Sequence, residues 1–173
     1  MTQLVTIEEL IDRHAALLYR VAYRLAGNPH DAEDLVQQTF MIAQQKQEQL
    51  REEQAATAWL CTILKNTFLK RGKNRLPVLP LERIAEPAQS PVVEEQEAVS
   101  SETLQAALEL LSEEYRVPLV LFYFQELSYK QIADVLEVPI GTVMSRLARG
   151  KTQLKQRLNG LGVPANRESG TGR

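Results

Sequence analysis

Apolar residues recur along this chain at steps of three and four. In the first segment Ile7, Leu10, Ile11, His14, Leu17, Leu18, Val21 and Leu25 fall on one stripe of a long helix. Thr6 with Glu9 forms a capping box at its start, and Gly27 stops it, because glycine accepts the left-handed backbone that ends helices. Asn28, Pro29 and the acids Asp31, Glu33 and Asp34 open a second helix, which turns Ala32, Leu35, Val36, Thr39, Phe40 and Ala43 inward. After a polar stretch over 44–54, a third stripe runs through Trp59, Leu60, Ile63, Leu64, Thr67 and Phe68 and ends at Gly72. The pattern predicts one small three-helix or four-helix bundle.

Periodicity collapses between residues 73 and 100. Pro77, Pro80, Pro87 and Pro91 fall there, Glu82, Glu86, Glu94, Glu95 and Glu97 make it acidic, and no aromatic residue anchors it. This composition predicts a flexible linker. Helical signals resume at Leu104, Ala107, Leu108 and Leu111. Ser112 then reads as the cap of an apolar segment through Phe124, in which Pro118 marks a kink or a delayed start. Two helices follow, one over 129–136 behind a Ser128–Gln131 capping box, the other over 140–158 with Val143, Leu147, Leu154 and Leu158 on one side. No segment sustains the alternation of a strand. The expected fold is all-α, with domains at 1–76 and 103–160, an acidic linker at 77–102 and a disordered tail at 161–173.

Composition narrows the chemistry. A core is well supplied, since 44% of the 173 residues are hydrophobic. With 20 Lys+Arg against 22 Asp+Glu the net charge is -2, which excludes coating nucleic acid by overall charge; any DNA contact must come from local patches. A single cysteine, Cys61, offers neither an internal disulfide nor a metal cage, so a reducing cytoplasm is expected and no metal. The apolar run 117–124 is far short of the roughly 20 residues that span a bilayer, and the first residues lack a signal-peptide pattern. Phosphate loops, dinucleotide fingerprints and nucleophile elbows are missing, so neither an enzyme nor a cofactor is expected. His14, in an apolar stripe, and His30, at a helix start, read as structural.

The sharpest constellation is SYKQIADVLEVPIGTVMSRLARG over 128–150, where only Glu137, Val138 and Pro139 separate two helices. So short a turn forces a steep crossing, with small Ala133 at the contact, Ile132 and Leu136 inside and Val138 in the turn: a helix-turn-helix. Glu137 stands where glycine commonly relieves a left-handed residue, at a cost of roughly 1 kcal/mol if the backbone adopts that geometry. The second helix presents Thr142, Ser145, Arg146, Arg149, Lys151, Lys155 and Arg157, with no acid in the window 144–157. That face suits a DNA duplex, though a tight hairpin with a solvated basic face has the same pattern. A second basic patch, KNTFLKRGKNR, adds Lys65, Lys70, Arg71, Lys73 and Arg75 beside Asn66, with Trp59 and Phe68 either stacking on unpaired bases or filling the core. Third, Asp34, Gln37, Gln38 and Met41 form a polar strip beside the buried face of the second helix, suited to another protein's helix; the crowded acids at its start complement the helix dipole better than they hold a metal.

The stretches LVQQTFMIAQQ, AWLCTILKNTFLKR and LSEEYRVPLVLFYFQELSYKQIADVLEVPIGTVMSRLARGKTQL resemble regions of bacterial sigma-70-family RNA polymerase sigma factors, specifically the small extracytoplasmic-function (ECF) subfamily, over roughly residues 10–158. The resemblance implies a region-2 domain and a region-4 domain without regions 1 or 3. It implies that Asp34, Gln37 and Gln38 dock on the coiled coil of the largest core polymerase subunit, with Gln38 where relatives often carry glutamate. The loop 49–56 and the helix bearing Asn66, Lys70 and Arg71 would open the minus-ten element and hold its non-template strand; Phe68, Leu69, Lys70 and Arg71 replace the usual aspartate and arginine cluster. Thr142, Ser145, Arg146 and Arg149 would meet the minus-thirty-five duplex, Met144 and Ala148 standing where relatives can carry arginine or an aromatic. The linker would thread toward the RNA-exit path, and an anti-sigma partner is implied. On this reading two separately folded units act together once polymerase sets their spacing. Two rivals are a stand-alone helix-turn-helix regulator of operator DNA and a pure interaction protein using the Asp34 strip.

Overall fold

The computed structural model describes residues 5–74 and 99–162. Residues 77–98 of the expected linker, Arg75 and most of the expected tail therefore lie outside the described residues, whereas Ser101 and Glu102, expected as the end of the linker, already belong to a helix. Seven α-helices occur among them, in the order α1 (Ile7–Ala26), α2 (Pro29–Gln45), α3 (Ala56–Asn74), α4 (Ser101–Glu109), α5 (Glu113–Gln125), α6 (Tyr129–Leu136) and α7 (Ile140–Gly160). Two single 3-10 turns, Gln47–Gln49 and Glu53–Ala55, join α2 to α3.

Local chemistry sets most of the boundaries. The Thr6 side chain accepts from the Glu9 N–H while the Glu9 carboxylate accepts from the Thr6 N–H, and Gly27 closes α1 at φ 85°. Asn28 caps α2 through the Asp31 N–H, with Pro29 in the first position. Ser128 and Gln131 complete a second reciprocal box at α6. Ser112 differs: it occupies the N-cap position of α5, but its side chain makes no capping hydrogen bond. The helix starts at Glu113 and runs through Pro118, so the delayed start expected from the proline does not occur. The α4 helix begins at Ser101, behind Ser100, whose hydroxyl accepts from the Thr103 N–H.

In the first bundle Leu10, Leu18, Val21 and Leu25 of α1 meet Ala32, Leu35, Phe40 and Ala43 of α2 and Leu60, Cys61, Ile63 and Leu64 of α3. Ile11, expected on the buried stripe, is exposed. In the second, Leu108, Leu119, Val120, Ile132, Val135, Val143 and Leu147 form the centre. The two bundles are not apart: their buried residues form one contiguous hydrophobic cluster. Polar contacts join them as well. Arg24 at the end of α1 donates to the Ser101 carbonyl (3.0 Å), the Ser101 hydroxyl (3.0 Å) and Gln105 Oε1 (3.3 Å), and its guanidinium lies 5.0 Å from the Phe124 ring centre. Gln105, only 6% exposed, returns a bond to the Arg24 carbonyl, and Gln125 Nε2 donates to the Leu17 carbonyl at 2.8 Å. The two expected helical units are both present, and the contacts between them could not be read from periodicity, which is local.

Candidate nucleic-acid interface

The α6–turn–α7 unit is built as its sequence requires. Ile132, Ala133 and Val135 are buried on α6, and Val143, Leu147 and Gly150 seat α7 on the core. Gly150 is needed for the approach of α5: a side-chain carbon there would lie 3.0 Å from Leu119 Cδ1 and 3.3 Å from Tyr115 Cβ. Between the helices Glu137 takes the left-handed conformation, φ 55° and ψ 44°, and the Val138 N–H returns to the Ala133 carbonyl at 3.1 Å. A non-glycine residue there costs about 1 kcal/mol, so the turn is held by the packing of Val138 and its neighbours against the core.

The outer face of α7 is not uniformly available. Arg149 and Lys151 are exposed, and neither makes a hydrogen bond or ion pair among the described residues. Arg146, by contrast, is half-buried, with Nε 3.4 Å from Glu114 Oε1 of α5. The acid-free window of the sequence thus acquires an acid from a neighbouring helix. Ser145 is exposed and donates its hydroxyl to the Thr142 carbonyl at 3.0 Å, leaving the oxygen lone pairs to accept; Thr142 is half-buried.

The basic patch of α3 is divided more sharply. Lys65 is 5% exposed, and burial pushes its ammonium below its ordinary pKa while the Glu137 carboxylate works in the opposite direction. It belongs to the contact between the bundles, not to a DNA surface. Phe68 is half-buried with the Arg116 guanidinium 5.7 Å from its ring centre, so that face is occupied and not free to stack on a base. Trp59 packs against the core. Asn66, Lys70 and Lys73 are exposed.

Arg71 reaches toward α2: Nε donates to Gln38 Oε1 at 3.3 Å and Nη1 to the Asp31 carbonyl at 3.5 Å. Residues expected on a DNA face and on a protein-docking strip are therefore bonded to each other. Together with Ile42, Lys46, Asn66, Thr67 and Lys70 they line an open cleft of about 380 Å³ between α2 and α3. Sequence reasoning missed Lys46, although Gln38, Ile42 and Lys46 follow one another at four-residue steps on one helix face. Of the rest of the strip, Gln37 and Met41 are exposed, and Asp34 is half-buried with His30 Nε2 3.9 Å from its carboxylate.

No cluster able to hold a metal ion occurs among the described residues, and none of the described helices is long and apolar enough to cross a membrane.

Family models match both halves: Sigma-70 region 2 over residues 10–75 and Sigma-70 region 4 over residues 101–154. The chain is 41% identical over 157 residues to the ECF RNA polymerase sigma factor SigE of Mycolicibacterium smegmatis, covering 87% of this chain and 61% of that protein's length. It is 35% identical over 158 residues to the ECF RNA polymerase sigma factor SigL of Mycobacterium tuberculosis, covering 89% of each. Among solved structures, the sigma factor RpoE of Bartonella quintana, in complex with the anti-sigma factor NepR, superposes with a TM-score of 0.67 at 29% identity, over 88% of this chain and 95% of that one. CnrH, in complex with the cytosolic domain of CnrY, shares the fold with a TM-score of 0.64 at 21% identity, over 89% of this chain and 88% of that one.

Proposed function

The chain belongs to the ECF group of the sigma-70 family of RNA polymerase sigma factors, and on that premise we propose that it binds core RNA polymerase in the cytoplasm and directs promoter recognition, DNA melting and the start of transcription, with no catalysis of its own. The observation that carries this reading is the exposed α7 face, on which Arg149 and Lys151 stand free on a helix held by a short left-handed turn. A helix so mounted enters the major groove of duplex DNA, where arginine reads guanine and lysine holds phosphate.

The exposed positions support the following division of labour. Thr142, Ser145, Arg149 and Lys151 contact the minus-thirty-five duplex, and Arg146, oriented by Glu114, holds a phosphate at its edge. In the first bundle the α2–α3 cleft takes the non-template strand of the minus-ten element through Asn66, Lys70 and Arg71, and Lys73 and Arg75 add positive charge close by in the sequence. Asp34, Gln37, Gln38 and Met41 face the polymerase. The domain limits proposed are 1–76 and 103–160, and the start of α4 at Ser101 supports beginning the second two residues earlier. Polymerase supplies the spacing that lets two weak contacts act as one strong one, and an anti-sigma factor is the expected antagonist. A stand-alone regulator would leave the whole first half without a role.

The test is direct. Purified protein added to core polymerase and a promoter library from its own genome is expected to give discrete start sites. A failure to initiate at any site, with core binding intact, sinks the proposal, and a gel shift on duplex DNA without polymerase distinguishes the regulator.

A further inference from the structure

Over its opening turns the exposed face of α7 is partly apolar. Taken at 100° per residue, Gly141, Ser145 and Ala148 run down its middle, Thr142 and Arg149 border it on one side, and Ile140 and Met144 border it on the other, with Lys151 about two turns further along that same border. Ile140 is 49% exposed and Met144 52%, one turn apart on the opening turns of the helix. Isolated exposed apolar residues are common on any surface. This pair stands on the element that carries Arg149 and Lys151, with no acidic residue over 140–160. Nothing lies within 4 Å of a side-chain carbon built at Gly141, so the floor of a groove can approach closely between the two borders.

The major groove presents one apolar group, the 5-methyl of thymine. We propose that Met144 is a specificity-determining residue that packs on a thymine methyl in the minus-thirty-five duplex, with Ile140 shielding that contact from water. The inference rests on the placement of α7 in the major groove given above. A thioether on an unbranched stem suits this task, because it adapts to the methyl without demanding a fixed hydrogen-bond geometry. The same face then reads two kinds of base edge, the Arg149 guanidinium taking guanine acceptors on one border and Met144 a methyl group on the other. A polar base at the Met144 position would leave its exocyclic group desolvated against sulfur and carbon, so the preference works by rejection as well as attraction.

Replacing each thymine of the minus-thirty-five element by deoxyuridine removes the methyl and nothing else. Holoenzyme formed with the wild-type chain, on a promoter selected from a random library, is expected to bind about fourfold less well when one particular thymine is replaced, the worth of burying one methyl group. Met144→Ala should bind the unmodified promoter weaker by a similar factor and ignore the replacement at that position. Met144→Leu should remain sensitive, and Arg149→Ala should keep the full methyl effect while weakening binding overall. The inference is overturned if the wild type tolerates deoxyuridine everywhere, if the selected element contains no thymine, or if Met144→Ala keeps the methyl effect. Selection yielding no promoter at all would overturn the sigma-factor reading along with it.

Discussion

Two helices, α3 and α7, carry most of the clustered positive charge in the described residues, and they use it differently. On α7, Arg149 and Lys151 are exposed and have no hydrogen bond or ion pair among the described residues, and the helix is anchored by Val143, Leu147 and Gly150 on its other side. On α3, Lys65 is buried, Arg71 is bonded to Gln38 and the Asp31 carbonyl, and Asn66, Lys70 and Lys73 are left exposed. Charge counted along a sequence is not charge at a surface. Each helix packs on three others, α3 on α1, α2 and α6 and α7 on α4, α5 and α6; what separates them is which charges those contacts cover, since Lys65 of α3 is buried while Arg149, Lys151, Lys155 and Arg157 of α7 remain exposed.

That contrast can be broken at the seat of α7. Gly150→Val forces the added carbons against Leu119 and Tyr115, and a loss of about 3 kcal/mol in urea unfolding is expected from overpacking; Gly141→Ala, in open space within the helix, should instead raise stability, by up to about 1 kcal/mol. Arg149→Ala should weaken promoter binding by holoenzyme by about 2 kcal/mol and relax the choice of one base. Arg146→Ala, already turned toward Glu114, should cost less and leave base preference intact. On α3, Lys70→Ala is expected to lower the slope of log affinity against log salt by about 1, as the loss of one phosphate contact does. Lys65→Met should leave that slope unchanged.

Lys65 offers a further separation, by pH. Burial depresses its folded-state pKa below the ordinary 10.5. The unfolded chain therefore holds this proton more tightly, and the penalty is fully present at neutral pH. As pH rises through the folded pKa toward 10.5 the penalty is relieved, so stability increases over that window. Lys65→Met should abolish this rise, read as the difference between the two urea-unfolding curves from pH 7 to about 10.5. The smallest effect concerns Cys61, whose thiol is pushed up to about 12 by burial and should not react with a disulfide reagent until the chain unfolds.

Legibility in the sequence followed the range of the interaction. The Thr6–Glu9 and Ser128–Gln131 boxes, the Gly27 stop and the three-residue turn at Glu137 are settled by residues within four positions of one another, and all were readable. The outer-face placement of Arg149 and Lys151 followed from periodicity alone. What escaped is long-range. Lys65 and Asn66 are adjacent, and only the approach of α6 decides that one is covered and the other is not. The Glu114–Arg146 pair joins helices 32 positions apart, and the Arg24–Gln105 bond spans 81. Ile11 failed for a subtler reason, since it sits at the margin of a stripe whose width is set by the neighbours that happen to cover it.

Glu137 joins these two scales. It closes the turn between α6 and α7 in a conformation glycine would adopt more cheaply, and its carboxylate works against the desolvation of a lysine buried in the first half. Glycine at this position would relax the turn and at the same time remove a charge that counters the burial of Lys65, so a change that eases one half locally is felt 72 residues away in the other.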